Sequence, residues 1–174
     1  ALLAPAVLLL VRRIEDVVLL VRTTIVWSAA ASAWGLLQFA GLVDEFEGRR
    51  PGQREPSFVG IHDFAALSGA ALAVGLIGLC FADGVPAGRR WTWPAIATGV
   101  LGVVLSGAMT GVAGLWLAAA AVLLLARRAG ALRTRAVLAT ALVALVVAGG
   151  TAMMRADTLT RFAELKDEAA RAEI

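Results

Sequence analysis

The sequence is poor in the residues that build disulfides and metal clusters. It has one cysteine and one histidine, and charged residues make up only 17% of the chain. Cys80 lies inside an apolar run and has no second cysteine to pair with, so a disulfide framework and a cysteine-based metal cluster are excluded. We interpret Cys80 as a small buried hydrophobic residue, and we expect no metal and no cofactor.

Apolar residues are abundant instead. They make up 60% of the chain, and the mean hydropathy is +0.82, values far outside the range of ordinary soluble domains. The net charge of +3 would suggest a nucleic-acid partner in a soluble protein. Here the arginines lie in short segments between apolar runs, a pattern typical of membrane topology. The composition therefore predicts an integral membrane protein whose environment is the lipid bilayer, with no nucleic-acid partner.

The chain begins inside an apolar stretch, residues 1–11, which ends at Arg12 and Arg13. A membrane-spanning helix needs about 20 apolar residues, so this stretch is predicted to be the second half of a span whose start is missing. A signal-peptide core is the alternative, but no small-residue cleavage site follows it. The sequence is therefore interpreted as a piece of a longer chain.

Five longer apolar segments follow, and each predicts a transmembrane helix. Segments 93–108 and 110–126 would reach about 50 Å as one helix, too long for a hydrocarbon core of about 30 Å. The small residues of Ser106–Gly111 therefore predict a turn between them. The predicted fold is an all-α polytopic bundle with spans at residues 1–11 (partial), 17–43, 62–82, 93–108, 110–126 and 136–154.

The polar tail, residues 155–174, has apolar residues spaced by three or four positions. This spacing predicts an amphipathic helix that leads to a missing region. Such a helix would lie along the membrane surface or against the bundle.

Arginines in the short loops predict the orientation of the bundle. Segments 12–16, 83–92 and 127–135 have an excess of arginine, and the number of spans between them puts all three on one side. By the positive-inside rule this side is cytoplasmic. The loop 44–61 and the tail 155–174 are then predicted to be extracytoplasmic.

Three local features carry structural predictions. Arg22 lies inside the first complete span, where a charge at full depth costs roughly 2.5 to 3.5 kcal/mol, so its side chain should reach the interface or face a partner. Trp91 and Trp93 flank an arginine loop and suit an interfacial aromatic belt. Gly107 and Gly111 have the spacing of a close helix-packing motif.

The loop 44–61 carries the strongest functional signal. Arg49, Arg50 and Arg54 lie on the side that should be poor in cations. Because a guanidinium group pairs bidentately with phosphate oxygens, a lipid-linked pyrophosphate is a fitting ligand here. The alternative is a solvated loop in which these arginines pair with its own acids, and charge alone does not decide between the two.

His62 and Asp63 open the next span. Asp63 suits a capping position at the positive end of a helix. Histidine is the residue type most often used for proton transfer in active sites, so His62 is the position at which catalysis is considered. Capping at the interface is the favoured interpretation, and catalysis is the alternative.

The segment Arg54-Glu-Pro-Ser-Phe-Val-Gly-Ile-His62-Asp-Phe-Ala-Ala-Leu67 enters a helix and follows another helix that carries Trp34-Gly-Leu-Leu-Gln38. From residue 17 onward, this pattern and the order of elements resemble the O-antigen ligase and polymerase family of the bacterial inner membrane. The resemblance implies a glycosyltransferase of polysaccharide biosynthesis, which moves a glycan from an undecaprenyl pyrophosphate carrier on the outer membrane face, without a metal. The resemblance places Arg54 at the carrier pyrophosphate. His62 is a further candidate for binding it, and so are Arg49 and Arg50, which lie outside the matching pattern and have acidic neighbours.

This sequence departs from the family at two positions. Met109 stands in the hairpin turn where the family commonly has arginine, and His62 stands where many members have asparagine. The catalytic histidine proposed for the family belongs to a large periplasmic loop, which would lie beyond Ile174. No residue of this chain is therefore assigned as catalytic.

Two other function classes stay open. A transporter subunit would place paired ionisable groups or broken helices near the middle of the bilayer, whereas the spans after Asp63 carry no charge until Arg127. A non-catalytic membrane scaffold or assembly protein would pack through its glycines and would not depend on Arg54. The sequence specifies neither the donor glycan and acceptor nor the oligomeric state.

Overall fold

A computed structural model describes residues 11–43, 54–81 and 87–156, and all the regular structure in these ranges is helical. The all-α prediction is confirmed for this part of the chain. The predicted partial span at residues 1–11, Arg49, Arg50 and the predicted tail helix lie outside it, except for residue 11 and residues 155 and 156. The helices are α1 (Ile14–Phe39), α2 (Ile61–Cys80), α3 (Thr92–Ser106), α4 (Met109–Arg128) and α5 (Thr134–Met154), and a short 3-10 helix, Arg89–Trp91, precedes α3.

Four of these helices are long and apolar enough to cross a membrane: α1, α2, α4 and α5. The fifth, α3, has only 15 residues, none of them charged. The chain is therefore a multi-pass membrane protein by the length and composition of its helices.

The bundle is apolar outside and rich in small and polar residues inside. Large side chains such as Leu117, Leu138 and Met153 are 74%, 65% and 76% exposed, as suits contact with lipid. The buried face of α1 is formed mainly by small and polar residues at helical spacing, namely Ser28, Ala31, Ser32, Gly35 and Gln38, together with Ile25. This pattern is the reverse of a soluble bundle, because lipid gives no reason to hide apolar side chains and small residues let helices approach closely.

The central contact of the bundle is between α2 and α3, which pack backbone to backbone. A Cβ added at Gly99 would lie 2.7 Å from the backbone nitrogen of Leu72. At Gly75 an added Cβ would lie 3.0 Å from the backbone nitrogen of Ile96. Glycine is therefore required on both helices at this crossing.

The turn between α3 and α4 lies in the segment where the small residues predict it. Gly107 has φ of 57° and ψ of 22°, the left-handed conformation that commonly ends a helix, and Ala108 begins the next helix from an extended conformation. The interpretation of Gly107 and Gly111 as a helix-packing motif is wrong, because Gly107 lies outside both helices. Only Gly111 packs in a helix, where an added Cβ would approach Val103 at 3.2 Å.

The helices alternate in direction, so the bundle has two ends. At one end Arg22 of α1 reaches Trp91 before α3, and Ala126 of α4 packs in one core cluster with Ala136 of α5. We name it the arginine-rich end, after Arg12, Arg13, Arg22, Arg89, Arg90, Arg127, Arg128, Arg133 and Arg135. We name the other the Arg54 end; it carries segment 54–60, the turn after α3 and the end of α5.

Candidate functional site

The described part of the predicted functional loop, residues 54–60, folds into the bundle. The backbone N–H of Glu55 donates to the carbonyl of Leu105 (2.9 Å), and the hydroxyl of Ser57 donates to the carbonyl of Ala31 (2.8 Å). Glu55 and Ser57 are fully buried. Residues 55–57 are therefore not solvated, whereas the predicted pairing of the loop arginines with the acids of the loop stays a prediction.

Segment 54–60 contacts the second half of α1. Ala31, which accepts the hydrogen bond from Ser57, is eight residues before Phe39, or about 12 Å along the helix. Gln38, on the same face of α1, is fully buried, and its amide donates to the carbonyl of Ser57 (3.5 Å). Ser57 is therefore held against the second half of α1 by hydrogen bonds at two positions of that helix.

Arg54 lies across the turn between α3 and α4. Its Nε donates to the carbonyl of Ser106 (3.2 Å), one of the carbonyls that the end of α3 leaves without a helical partner. Its Cγ lies so close to Gly107 that a Cβ added there would be 2.6 Å away. The guanidinium group is thus held at the negative end of the α3 dipole, a favourable position for a cation.

His62 and Asp63 occupy the first turn of α2, but neither caps it. The helix begins at Ile61, and its N-cap is Gly60 with φ of 89°, so the predicted capping role of Asp63 is wrong. Asp63 is the third helical residue, where a carboxylate still interacts favourably with the helix dipole. His62 is exposed and lines a crevice of about 240 Å³ between α2 and α4, together with Ala65, Ala66, Gly69, Thr110, Gly111 and Gly114.

Two helix N-termini converge at this end of the bundle. Ile61, the first residue of α2, packs in one buried cluster with Ala108, the N-cap of α4. Among the described residues, the N-cap residues Gly60 and Ala108 make no side-chain cap hydrogen bond to their helices. Helix N-termini carry partial positive charge and unpaired N–H donors, so the pair forms an environment suited to an anion, which Asp63 partly offsets.

The structure brings two of the four predicted site residues to one place. Arg54 and His62 both lie against the segment Ser106–Gly111, Arg54 on Gly107 and His62 beside Thr110. Arg49 and Arg50 lie outside the described residues. The sequence did not predict that Arg54 contacts Ser106 and Gly107. The one feature of the sequence that could have indicated this contact is the glycine at the helix break.

The site in the described ranges contains Arg54, His62, hydroxyl and backbone groups, together with the carboxyl groups of Glu55, which is fully buried, and Asp63. Among residues 11–43, 54–81 and 87–156, no three His, Cys, Asp or Glu side chains come together as a metal site would need. The chemistry that this arrangement can supply is therefore hydrogen bonding and positive charge directed at an anion. No protein-family model, curated protein or solved structure matches the chain.

Proposed function

We propose that this chain is part of a membrane glycosyltransferase of the O-antigen ligase or polymerase type, which binds an undecaprenyl pyrophosphate-linked glycan at the Arg54 end. The observation that carries the proposal is the position of Arg54 on Ser106 and Gly107, next to the N-cap residue of α4, which packs in one buried cluster with the first residue of α2. A guanidinium group and helix N-termini are the groups that bind phosphate oxygens best in proteins.

The chemistry of such a transfer needs mainly electrostatic help from these residues. The glycosidic bond between the sugar and the pyrophosphate breaks, the acceptor hydroxyl oxygen bonds to the sugar carbon, and the hydroxyl proton passes to a base. Negative charge then collects on the departing pyrophosphate, where Arg54 and the two helix ends stabilise it. His62, on the exposed rim, contributes a hydrogen bond to the same phosphates. We assign the base to no residue of this chain.

We expect Arg54→Ala to reduce glycan transfer by about tenfold or more in the full-length protein, because a hydrogen bond to a charged group contributes about 1.5 to 3 kcal/mol. Arg54→Lys keeps the charge but lacks the planar guanidinium group that pairs with two phosphate oxygens, so it should reduce transfer less than Arg54→Ala does. Transfer is measured in cells at equal membrane expression, with Arg155→Ala as a control that removes an arginine at the same end.

Two results decide the role of Arg54. Normal transfer by Arg54→Ala would show that the carrier-binding proposal is wrong. A loss that is restored by raising the donor concentration would show that Arg54 contributes equally to ground-state and transition-state binding.

A non-catalytic scaffold is the second candidate, and one contact favours it. The hydrogen bond from Arg54 to Ser106 already gives this arginine a structural task at the end of α3. In a scaffold, Arg54→Ala would weaken the bundle, and the protein would bind no polyprenyl pyrophosphate with or without the substitution. Titrating the purified protein with a short-chain polyprenyl pyrophosphate separates the two, because only the transferase shows binding that depends on Arg54.

The proposal also requires the Arg54 end to face away from the cytoplasm. In a Cys80→Ser background, a cysteine at Gly48 should react with a membrane-impermeant thiol reagent in intact cells, and a cysteine in the loop after α4 should not. Leu132 is a better position there than Gly130, whose φ of 65° would strain any other residue. Reaction at Leu132 but not at Gly48 would reverse the orientation.

A further inference from the structure

The loop between α4 and α5 is a dense cluster of positive charge. Within residues 127–135 it carries four exposed arginines, namely Arg127, Arg128, Arg133 and Arg135. The sequence has no aspartate or glutamate from residue 84 to residue 156, so α3, α4 and α5 supply no acid that could pair with them. Their countercharges must therefore come from another part of the chain or from a ligand.

The acids described at the arginine-rich end lie on the other side of the bundle. They are Glu15 and Asp16, in the first turn of α1. The main contacts of α1 are with α2 and α3, and these two helices also pack against α4 and α5, so they lie between α1 and the loop. Asp16 already accepts the backbone N–H groups of Arg12 (3.0 Å) and Arg13 (2.9 Å). In the described part of the chain, no acid of α1 is therefore placed to neutralise the α4–α5 loop.

Two of these arginines lie where the helix dipole disfavours a cation. Helix α5 begins at Thr134, and its N-cap residue, Arg133, makes no side-chain cap hydrogen bond. Arg135 is the second residue of the helix, and the first turn contains no acid. A helix N-terminus carries partial positive charge, so a cation there is unfavourable and an anion is favourable. A bound anion would therefore stabilise this end of α5 in two ways, by pairing with the arginines and by offsetting the helix dipole.

Exposed apolar side chains place this loop at the depth of lipid headgroups. Leu125 is 56% exposed one turn before Arg128, and Leu138 is 65% exposed one turn after Arg135. Leu132, inside the loop, is 43% exposed. Because these leucines suit contact with hydrocarbon, the arginines beside them are within reach of lipid phosphates.

We propose that the α4–α5 loop binds the headgroups of anionic phospholipids, with lipid phosphates on the guanidinium groups of its arginines. A guanidinium group pairs with two phosphate oxygens at once. Each arginine near an anionic membrane surface strengthens the attraction by about fivefold. The positive-inside bias acts while the chain inserts, whereas the folded protein needs the countercharges described here. The inference is independent of the glycan-transfer proposal, because it concerns the opposite end of the bundle.

The test uses the purified full chain in a neutral detergent, titrated with phosphatidylglycerol, phosphatidylcholine or inorganic phosphate while thermal unfolding is followed. A ligand that binds only the folded state raises the unfolding temperature with concentration. We expect phosphatidylglycerol to raise it at concentrations at least about tenfold lower than phosphatidylcholine. Salt at about 1 M should abolish this preference, because it screens charges beyond about 3 Å. Inorganic phosphate should have little effect, because it does not concentrate at the micelle surface.

Two variants with an equal loss of charge locate the effect. The first carries four substitutions in the α4–α5 loop, namely Arg127→Gln, Arg128→Gln, Arg133→Gln and Arg135→Gln. The second carries four substitutions elsewhere at the arginine-rich end, namely Arg12→Gln, Arg13→Gln, Arg89→Gln and Arg90→Gln. All eight side chains are exposed, so both variants should fold. The first should lose the preference for phosphatidylglycerol, and the second should keep most of it.

The double variant Arg133→Gln/Arg135→Gln gives a change of sign that a merely structural role would not produce. Without anionic lipid it should have a higher unfolding temperature than the wild type, because cations are removed from the positive end of α5. With phosphatidylglycerol it should have a lower one, because headgroup binding is weakened. The absence of this reversal would overturn the inference, and so would an equal loss of preference in the two fourfold variants or an equal response to phosphatidylcholine or inorganic phosphate. Stronger stabilisation by a polyglutamate peptide than by phosphatidylglycerol would also overturn it, by identifying the loop as a docking site for an acidic protein.

Discussion

Gly99→Ala should lower the free energy of unfolding by about 3 kcal/mol, the upper part of the range for overpacking. The new Cβ would lie 2.6 Å from Leu72 Cβ and 2.7 and 2.8 Å from Leu72 N and Cα. A rotamer change cannot relieve contacts with backbone atoms, so α2 and α3 must separate along the closest helix contact of the bundle. The change is measured by denaturant-induced unfolding in detergent micelles.

Gly114→Ala is the matched control for this prediction. Gly114 lies in α4, and a Cβ added there has no atom within 4 Å. Because alanine is the better helix former, this variant should be neutral or more stable by up to about 1 kcal/mol. Equal destabilisation by both substitutions would show that the α2 and α3 contact is not what requires glycine.

Gly107→Ala is the second large effect that we expect, with a loss of about 3 kcal/mol. Part of the loss is conformational, because a residue with a side chain at φ of 57° costs roughly 1 to 2 kcal/mol. The rest comes from the collision with Arg54, whose Cγ would be 2.6 Å from the new Cβ and whose bond to Ser106 would be displaced. Denaturant-induced unfolding in micelles measures the total loss of unfolding free energy.

A double-mutant cycle separates the two parts. In an Arg54→Ala background the collision is absent, so Gly107→Ala should lower the free energy of unfolding only by the conformational part. The loss should therefore be smaller than in the wild-type background by about 1 kcal/mol or more, which is the coupling energy of the two residues. Gly130→Ala is the natural comparison, since Gly130 also has a positive φ, 65°, but a Cβ there meets nothing within 4 Å. Additive losses of Gly107→Ala and Arg54→Ala would mean that Arg54 does not rest on this turn.

The helices and their order could be predicted from the sequence because a membrane-spanning helix is determined by the residues of its own segment. An apolar run must satisfy its backbone hydrogen bonds internally, so run length alone indicates the helices α1, α2, α4 and α5. The break at Gly107 was also predictable, since one helix through it would be too long for the bilayer. The clusters of arginine likewise indicated which helix ends lie together.

The candidate site was much less predictable, because its contacts join residues far apart in the chain. Arg54 meets Ser106 and Ser57 meets Ala31 only after the bundle has formed. A loop rich in Arg, Glu and Pro is expected to be solvated, and no neighbouring residue in the sequence indicates that Glu55 is fully buried. The pairing of Arg22 with Trp91 was missed for the same reason, although the sequence did predict that Arg22 would reach the interface or a partner.

The two arginines at opposite ends of α3 have a consequence for water inside the bundle. Arg22 reaches Trp91 just before α3, and Arg54 binds its last residue, so polar groups approach each other to within the length of this helix, 15 residues or about 22 Å. A hydrocarbon layer of about 30 Å is thicker than that, whereas α1, α2 and α5, which pack against α3, have 26, 20 and 21 residues and are about 30 Å long or longer. At least one end of α3 therefore lies inside the bundle, below the level that its neighbours reach. We expect water to enter the bundle there, because a guanidinium group needs acceptors for its N–H donors.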